Sequence, residues 1–225
     1  MAKRIVFISE RSNSTYVKEH ELDFEYFTGF SLSQKRKSIQ SLHKSFHEFY
    51  PLLKVLEVST KADNELGEKL SAFNLKYYDE VKKSYFSVEN IFQSSKVFEL
   101  GGPFRDLLHI NPNHAKGDER LTSSGNLKYF SFNGQKWGLE PKTMFYDWIY
   151  INALNKSGLQ NEIVKYDAFT DIEFNHKKSI NCQARACAIF VSLYRSGDLK
   201  KTLENVKEFE KIYQKKDEQI SFSIG

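Results

Sequence analysis

Apolar positions in the first fifty residues alternate at first and then step by threes and fours. "KRIVFIS" is rich in Ile, Val and Phe and predicts a strand; "ELDFEYFTGF" predicts a second, ending at Gly29. Ser31 or Ser33 is placed to cap a helix through "QKRKSIQSLHKSFHEFY", which Pro51 stops. "LKVLEVS" reads as a short strand. From Thr60 to Ser84 the chain is polar, interrupted by the apolar "LSAFNL". Helical patterns then dominate. Phe86 to Phe98, "FSVENIFQSSKVF", is the first. Pro103 suits the first position of "PFRDLLHI", Asn111 and Pro112 open "PNHAKGDERL", and Pro141 opens "PKTMFYDWIYINALNKSG", closed by Gly158. "LKYFSFNGQKW" alternates about Asn133-Gly134, a hairpin signal. "TDIEFNHKKS" is a polar loop, "INCQARACAIFVSLYRSG" a small-residue helix ending at Gly197, and "LKKTLENVKEFEKIYQKK" an amphipathic C-terminal helix. The sum is an α+β fold: a mainly helical single domain with a few short strands, mostly near the N-terminus.

Composition narrows this picture. A chain of 225 residues with 40% hydrophobic and 15% aromatic side chains can pack one sizeable core. With 28% charged residues and a mean hydropathy of -0.55 it is expected to be soluble, and no apolar run approaches the roughly 20 residues that span a bilayer. The opening "MAKRIVFISERSNS" breaks at Glu10 and Arg11, so it reads as a strand and not as a signal peptide. Cys182 and Cys187 form no disulfide framework, which points to the cytoplasm. A net charge of +4 and a pI near 8.8 permit a nucleic-acid partner without demanding one.

Candidate chemistry is sparse. His43 and His47 have the spacing of a zinc pair, but "HKSFHE" lacks the internal glutamate and a third ligand. No Gly-rich dinucleotide or phosphate loop and no nucleophile elbow is present, so no cofactor or metal is expected. The run Lys35, Arg36 and Lys37 is either a solvated face or a phosphate contact. At about 100° per residue, Val88, Ile91, Phe92, Ser95 and Phe98 share one arc of the helix over 86–98. Glu89, Gln93 and Lys96 fall within about 60° of one another on a different arc. Solvated Glu and Lys on an amphipathic helix are commonplace and account for that spacing readily, so spacing does not single out a site.

These residues also carry a resemblance. "SVENIFQSSKVF" resembles the signature helix of the NADAR family, S/T-x-E-H-x-x-Q-A-x-K-F in outline, with Asn90 in place of the histidine. "LSAFNL" is similar to the family's preceding S-N-F element, with Ala72 where Asn is usual. "FRDLLHINPNHAKGDERL", "WGLEPKTMFYDWIYINAL" and "YDAFTDIEFNHKKSINCQARACAIFVSLYR" follow in the family's order, the last resembling the closing D-x-x-W-G-D-G block. In that block Phe169-Thr170 stands for Trp-Gly, and Ala184-Arg185 occupies the neighbourhood of a Leu-Gly pair. The segment 1–69, including "GFSLSQKRKSI", resembles the subgroup encoded beside DarT-type DNA ADP-ribosyltransferase toxins. The expected layout is one domain: an extension over 1–69, a NADAR core over 70–196 and a C-terminal helix over 197–225.

The resemblance implies an N-glycosidase that removes ADP-ribose from guanine bases in DNA and so acts as an antitoxin. Its partners would be ADP-ribosylated DNA, the product ADP-ribose and a cognate toxin, with no membrane. The implied catalytic residues are Glu89, Lys96 and Asp171. Glu89 would stabilise positive charge on the ribose, Lys96 would act as a phosphate-steering cation or as an amine nucleophile, and Asp171 would bind ribose hydroxyls or assist the acid. Implied ligand contacts are Ser71, Phe73, Asn74, Asn90, Gln93, Gly102, Arg105, Phe169 and Asn181, with Phe169 stacking on a base. Pyrophosphate donors are sought at Gly101, Gly102 and Arg105, with Lys116 and Arg120 as alternatives. Two other functions fit: an N-glycosidase on a ribosylated riboflavin-pathway metabolite, and a non-catalytic ADP-ribose reader or toxin-binding antitoxin.

Overall fold

The computed structural model describes residues 1–10, 16–175 and 179–213. Part of the polar loop at 170–179 and the end of the expected C-terminal helix lie outside them. The chain divides into two compact units, one contiguous over Ala72–Gly158 and one split between Met1–Ser71 and Leu159–Gly225. The segment 1–69 therefore shares a unit with the closing block.

In the split unit, β1 (Ala2–Ser9) pairs antiparallel with β2 (Val17–Phe24), from Ala2 opposite Phe24 to Ser9 opposite Val17. α1 (Leu32–Phe49) follows, capped by the Ser31 hydroxyl, which accepts from the Gln34 N–H. β3 (Val55–Glu57) and α2 (Glu65–Lys69) complete the N-terminal segment. After the contiguous unit come α7 (Gln160–Ile163), β9 (Ala168–Thr170), α8 (Gln183–Ser196) and α9 (Leu199–Thr202). The sheet order is β2-β1-β9-β3, with β9 antiparallel to β1 and parallel to β3. Alternation sends Val6, Ile8, Leu22 and Phe24 to one face, where they meet Ile39, Leu42 and Phe46 of α1. α8 packs against β1 and β9, and its Ala184, Ala186, Cys187 and Ala188 are buried.

The contiguous unit begins with the hairpin β4 (Lys76–Asp79) and β5 (Ser84–Ser87), then α3 (Val88–Ser94) and β6 (Lys96–Phe98). A 3-10 turn (Arg105–His109), α4 (Pro112–Lys116) and α5 (Arg120–Ser123) lead to β7 (Leu127–Phe132) and β8 (Gln135–Trp137). These two strands form the expected hairpin, with Asn133 at φ 46° and Gly134 at φ 78°, and β6 adds to them in the order β6-β7-β8. α6 (Met144–Asn155) is buried nearly all round. Its Phe145 stacks on Phe130, with centroids 4.7 Å apart, and also contacts Phe92, Phe132 and Trp137.

Several expectations are corrected. The fold is α+β, but strands are spread along the chain and are not mostly N-terminal. The helix expected over 86–98 stops at Ser94, and Lys96 opens a strand paired opposite Phe130. Ser94 turns its hydroxyl back to the Ile91 carbonyl, and the Ser95 carbonyl takes the Ser131 N–H at 2.7 Å, so sheet pairing wins over helical periodicity there. The stretch "PNHAKGDERL" forms two short helices, Pro103 precedes a 3-10 turn, and the C-terminal pattern breaks between Thr202 and a second helix that starts at 206. Among the described residues no helix is long and apolar enough to cross a membrane.

Ile39, with no exposed surface in the centre of the split unit's core, is expected to be a stability determinant. Ile39→Ala should lower the unfolding free energy by about 2–5 kcal/mol in a urea titration. Leu52→Ala, at a residue 91% exposed, should change it by less than about 0.5 kcal/mol.

Candidate active site

α3 is seven residues long, and all seven are buried. It starts where the Ser87 side chain accepts from the Asn90 N–H. Glu89 and Gln93 are each only 5% exposed, so the solvated-face explanation of their spacing does not hold. The Gln93 Nε2 donates to Glu89 Oε1 at 2.7 Å, and the Lys96 Nζ donates to Gln93 Oε1 at 2.7 Å. An amine donates and a carboxylate accepts, so the amide orientation is fixed from both ends. Lys96 also lies 4.7 Å from the Phe92 ring centroid. Burial lowers its pKa to about 8; the nearby Glu89 charge opposes that shift and Lys116 adds to it. The three residues come together as expected, although Lys96 stands on a strand and not on the helix.

The supporting residues explain how this geometry is held. Asn90 engages its side chain in structure: its Nδ2 donates to the carbonyls of Leu107 (2.6 Å) and Ile110 (3.0 Å), and its Oδ1 takes the Ser87 hydroxyl. Asn90, expected as a ligand contact, therefore ties α3 to the 3-10 turn. Gly102, sought as a phosphate donor, has a packing role, because a Cβ there would lie 2.3 Å from the Lys96 carbonyl oxygen, and its φ is 90°. Arg105 is half-buried and donates to the Ser131 hydroxyl at 3.1 Å. Arg120 is held by Asp106 and Asp118, which leaves Lys116 as the more available cation; its Nζ sits 5.2 Å from the half-buried Phe73 ring. Asn74 is exposed.

In the split unit the sequence-predicted residues meet a second polar cluster. Asp171, just past β9, accepts from the N–H groups of Glu173 and Phe174 and from Gln183 Nε2 at 3.0 Å. Glu57, with no exposed surface, accepts from the Ser59 hydroxyl (2.7 Å), the Thr170 hydroxyl (2.6 Å) and the Ile172 N–H (2.8 Å). Since Thr170 donates to Glu57, its oxygen is free to accept from His43 Nε2, 2.8 Å away. Burial first, and the Glu57 charge second, raise Asp171 to about 8; burial likewise raises Glu57. Burial lowers His43 to about 4, so its ring is neutral, and its Nε2 is taken by Thr170 as His47 Nε2 is by the Leu53 carbonyl.

The remaining expected residues of this unit are dispersed. Phe169 has no exposed surface and belongs to the core of β9; a base cannot stack on a ring with no free face, so that expectation is corrected. Ser71 is fully buried, with a hydroxyl that makes no hydrogen bond. Asn181 is half-buried, one residue before Cys182, the N-cap of α8. Sequence reading missed Glu57, Ser59, Thr170 and Gln183, and considered His43 only as a metal ligand. Two signals were present: a glutamate inside the apolar "VLEV", and His43 four residues after Ile39 on the helix face that carries Leu42 and Phe46.

These titrations have opposite signs. Asp171 holds its proton from its unfolded range near 4 up to about 8, so its contribution to stability is lost as pH rises between them. His43 contributes stability above its unfolded value of 6.5 that is lost as pH falls towards about 4. The two slopes oppose below 6.5, so Asp171 is read between pH 6.5 and 8. Thermal unfolding should show wild-type stability falling across that window and a shallower slope for Asp171→Asn.

A family model agrees with the resemblance that the sequence carries. No curated protein matches the chain. The model of the DarT1-associated NADAR antitoxins matches residues 2–221, almost the entire sequence. The chain belongs to the NADAR-DarT1 family.

Proposed function

We propose that the protein is an N-glycosidase that removes ADP-ribose from guanine bases in DNA, reversing the modification made by its toxin. The observation that carries this reading is the buried Glu89–Gln93–Lys96 chain of hydrogen bonds, in a member of a toxin-associated NADAR family. A carboxylate and an amine on opposite sides of one amide match what breaking a glycosidic bond requires: a negative charge beside a ribose that becomes cationic, and a nucleophile or acid near its anomeric carbon.

Lys96 is proposed as the nucleophile. With a pKa of about 8, roughly a quarter of the molecules carry a neutral amine at pH 7.5, against about 0.1% for an ordinary lysine near 10.4. The neutral amine keeps one N–H on Gln93 and presents its lone pair. As that pair forms a C–N bond at the anomeric carbon, the bond to guanine breaks and its electrons leave on the guanine nitrogen, which takes the proton that the new ammonium gives up. Opening of the sugar ring, whose oxygen takes a proton from solvent, gives an iminium; water deprotonated by Glu89 adds to its carbon, and collapse of the adduct returns the amine and releases ADP-ribose. The Phe92 ring beneath Nζ favours a second reading in which Lys96 stays an ammonium and protonates the leaving guanine.

Three outcomes test these roles on an ADP-ribosylated oligonucleotide. Lys96→Ala should lower kcat/KM by about a thousandfold or more, and Glu89→Gln by about a hundredfold to a thousandfold. Either variant retaining full toxin neutralisation would replace the enzyme with a binding antitoxin. For a nucleophilic lysine, kcat/KM should rise with pH and level off above about 8; a fall above 8 would assign the acid role instead. Borohydride added during turnover should leave a mass adduct on wild type and none on Lys96→Ala.

A further inference from the structure

The loop between β2 and α1 presents Phe30 with its side chain entirely in solvent, next to Leu32, which is 45% exposed. An exposed loop aromatic is unremarkable when its backbone is loose, but this one is braced. The Phe27 N–H donates to the Ser38 hydroxyl at 2.9 Å, the Glu25 N–H donates to Ser41 at 3.1 Å, and Ser31 caps the helix on the other side. Gly29, at φ 125°, makes the turn and lies against Gln34. Folding gains nothing from holding a bare phenyl ring at this position.

The adjoining helix has a matching charge. α1 carries Lys35, Arg36, Lys37 and Lys44 against a single acid, Glu48 near its far end, and has no acid in its first turn. Lys35, Arg36 and Lys37 fall in the second turn, near the positive end of the helix, where the dipole does not favour them. Lys35 is engaged by Glu173 at 2.9 Å and by the Tyr26 hydroxyl. Arg36 gives one N–H to the Ala62 carbonyl, and Lys37 lies 6.0 Å from the Phe27 ring. Among the described residues Arg36, Lys37 and Lys44 form no ion pair. Lys37 and Lys44, seven residues apart, share one exposed face. Acids stand nearby as well: Glu48 is one turn after Lys44, and Glu173 pairs with Lys35.

We propose that Phe30 and the Arg36–Lys37–Lys44 face of α1 form a docking surface for single-stranded DNA, with an unpaired base stacked on the phenyl ring and phosphates on the cations. Stacking tolerates any base and the cations follow the backbone, so the surface would hold the strand without reading its sequence. The inference rests on DNA being the substrate, and it deepens that reading by naming how the strand is held.

Fluorescence anisotropy with an unmodified oligothymidylate of about twelve nucleotides separates the two claims, because it needs no catalysis. Phe30→Ala should weaken binding by about tenfold or more, and Lys37→Ala should reduce the log–log salt slope by about 0.7. Both positions are on the surface, and unchanged thermal unfolding checks that the fold is kept. In turnover, both variants should raise KM for an ADP-ribosylated oligonucleotide and leave hydrolysis of an ADP-ribosylated guanine mononucleotide unchanged. If wild type cleaves neither substrate, the glycosidase reading fails while the anisotropy still decides the surface. Unaltered strand binding in both variants overturns the proposal, and so does a loss of affinity confined to purified DarT1 toxin, which would assign the surface to a protein.

Discussion

An ammonium cannot accept a hydrogen bond and a carboxylate cannot donate one, so a primary amide between them is oriented from both sides. That is the arrangement of Lys96, Gln93 and Glu89, and most features of the contiguous unit serve it. β6 brings the lysine in by pairing with β7, Asn90 fixes the helix that carries the other two, and Gly102 lets the following loop pass against the Lys96 carbonyl. Burial then lowers the pKa of the amine. A solvated glutamate and lysine at the same spacing would attract each other weakly and keep ordinary pKa values.

The local signals that the sequence displayed were mostly turn and cap chemistry. Ser31, Pro51, Asn111-Pro112, Asn133-Gly134 and Gly197 mark boundaries by their own conformational limits, and the structure uses each near where it was expected. Periodicity failed where a tertiary partner overruled it. "FSVENIFQSSKVF" is helical by spacing, yet Phe86 and Ser87 end one strand and Lys96 opens another, because β5 and β6 have strands to pair with. The β4–β5 hairpin was missed for a related reason: its turn has no Gly, Pro or Asn, and instead places Lys83 at φ 52°.

The candidate site was legible only through resemblance at Glu89, Gln93 and Lys96, since spacing alone allowed a solvated face. Phe169 shows the limit of carrying a motif across: it fills the place of an aromatic in the closing block but has no exposed ring surface. Glu57 shows the reverse. No motif named it, and its significance comes from burial near Asp171 with three donors converging on it, which requires the strand pairing of β3 with β9. A lone glutamate in an apolar strand signals a buried partner without saying which residue that is.

The chain path through the split unit has a consequence for synthesis. β9 lies between β1 and β3 in the sheet, so β3 has no neighbour until the ribosome has made a segment more than a hundred residues downstream. The contiguous unit, whose strands all pair within it, is complete before that. A message cut short after Gly158 would thus encode Glu89, Gln93 and Lys96 in full while leaving the N-terminal strands without their closing member.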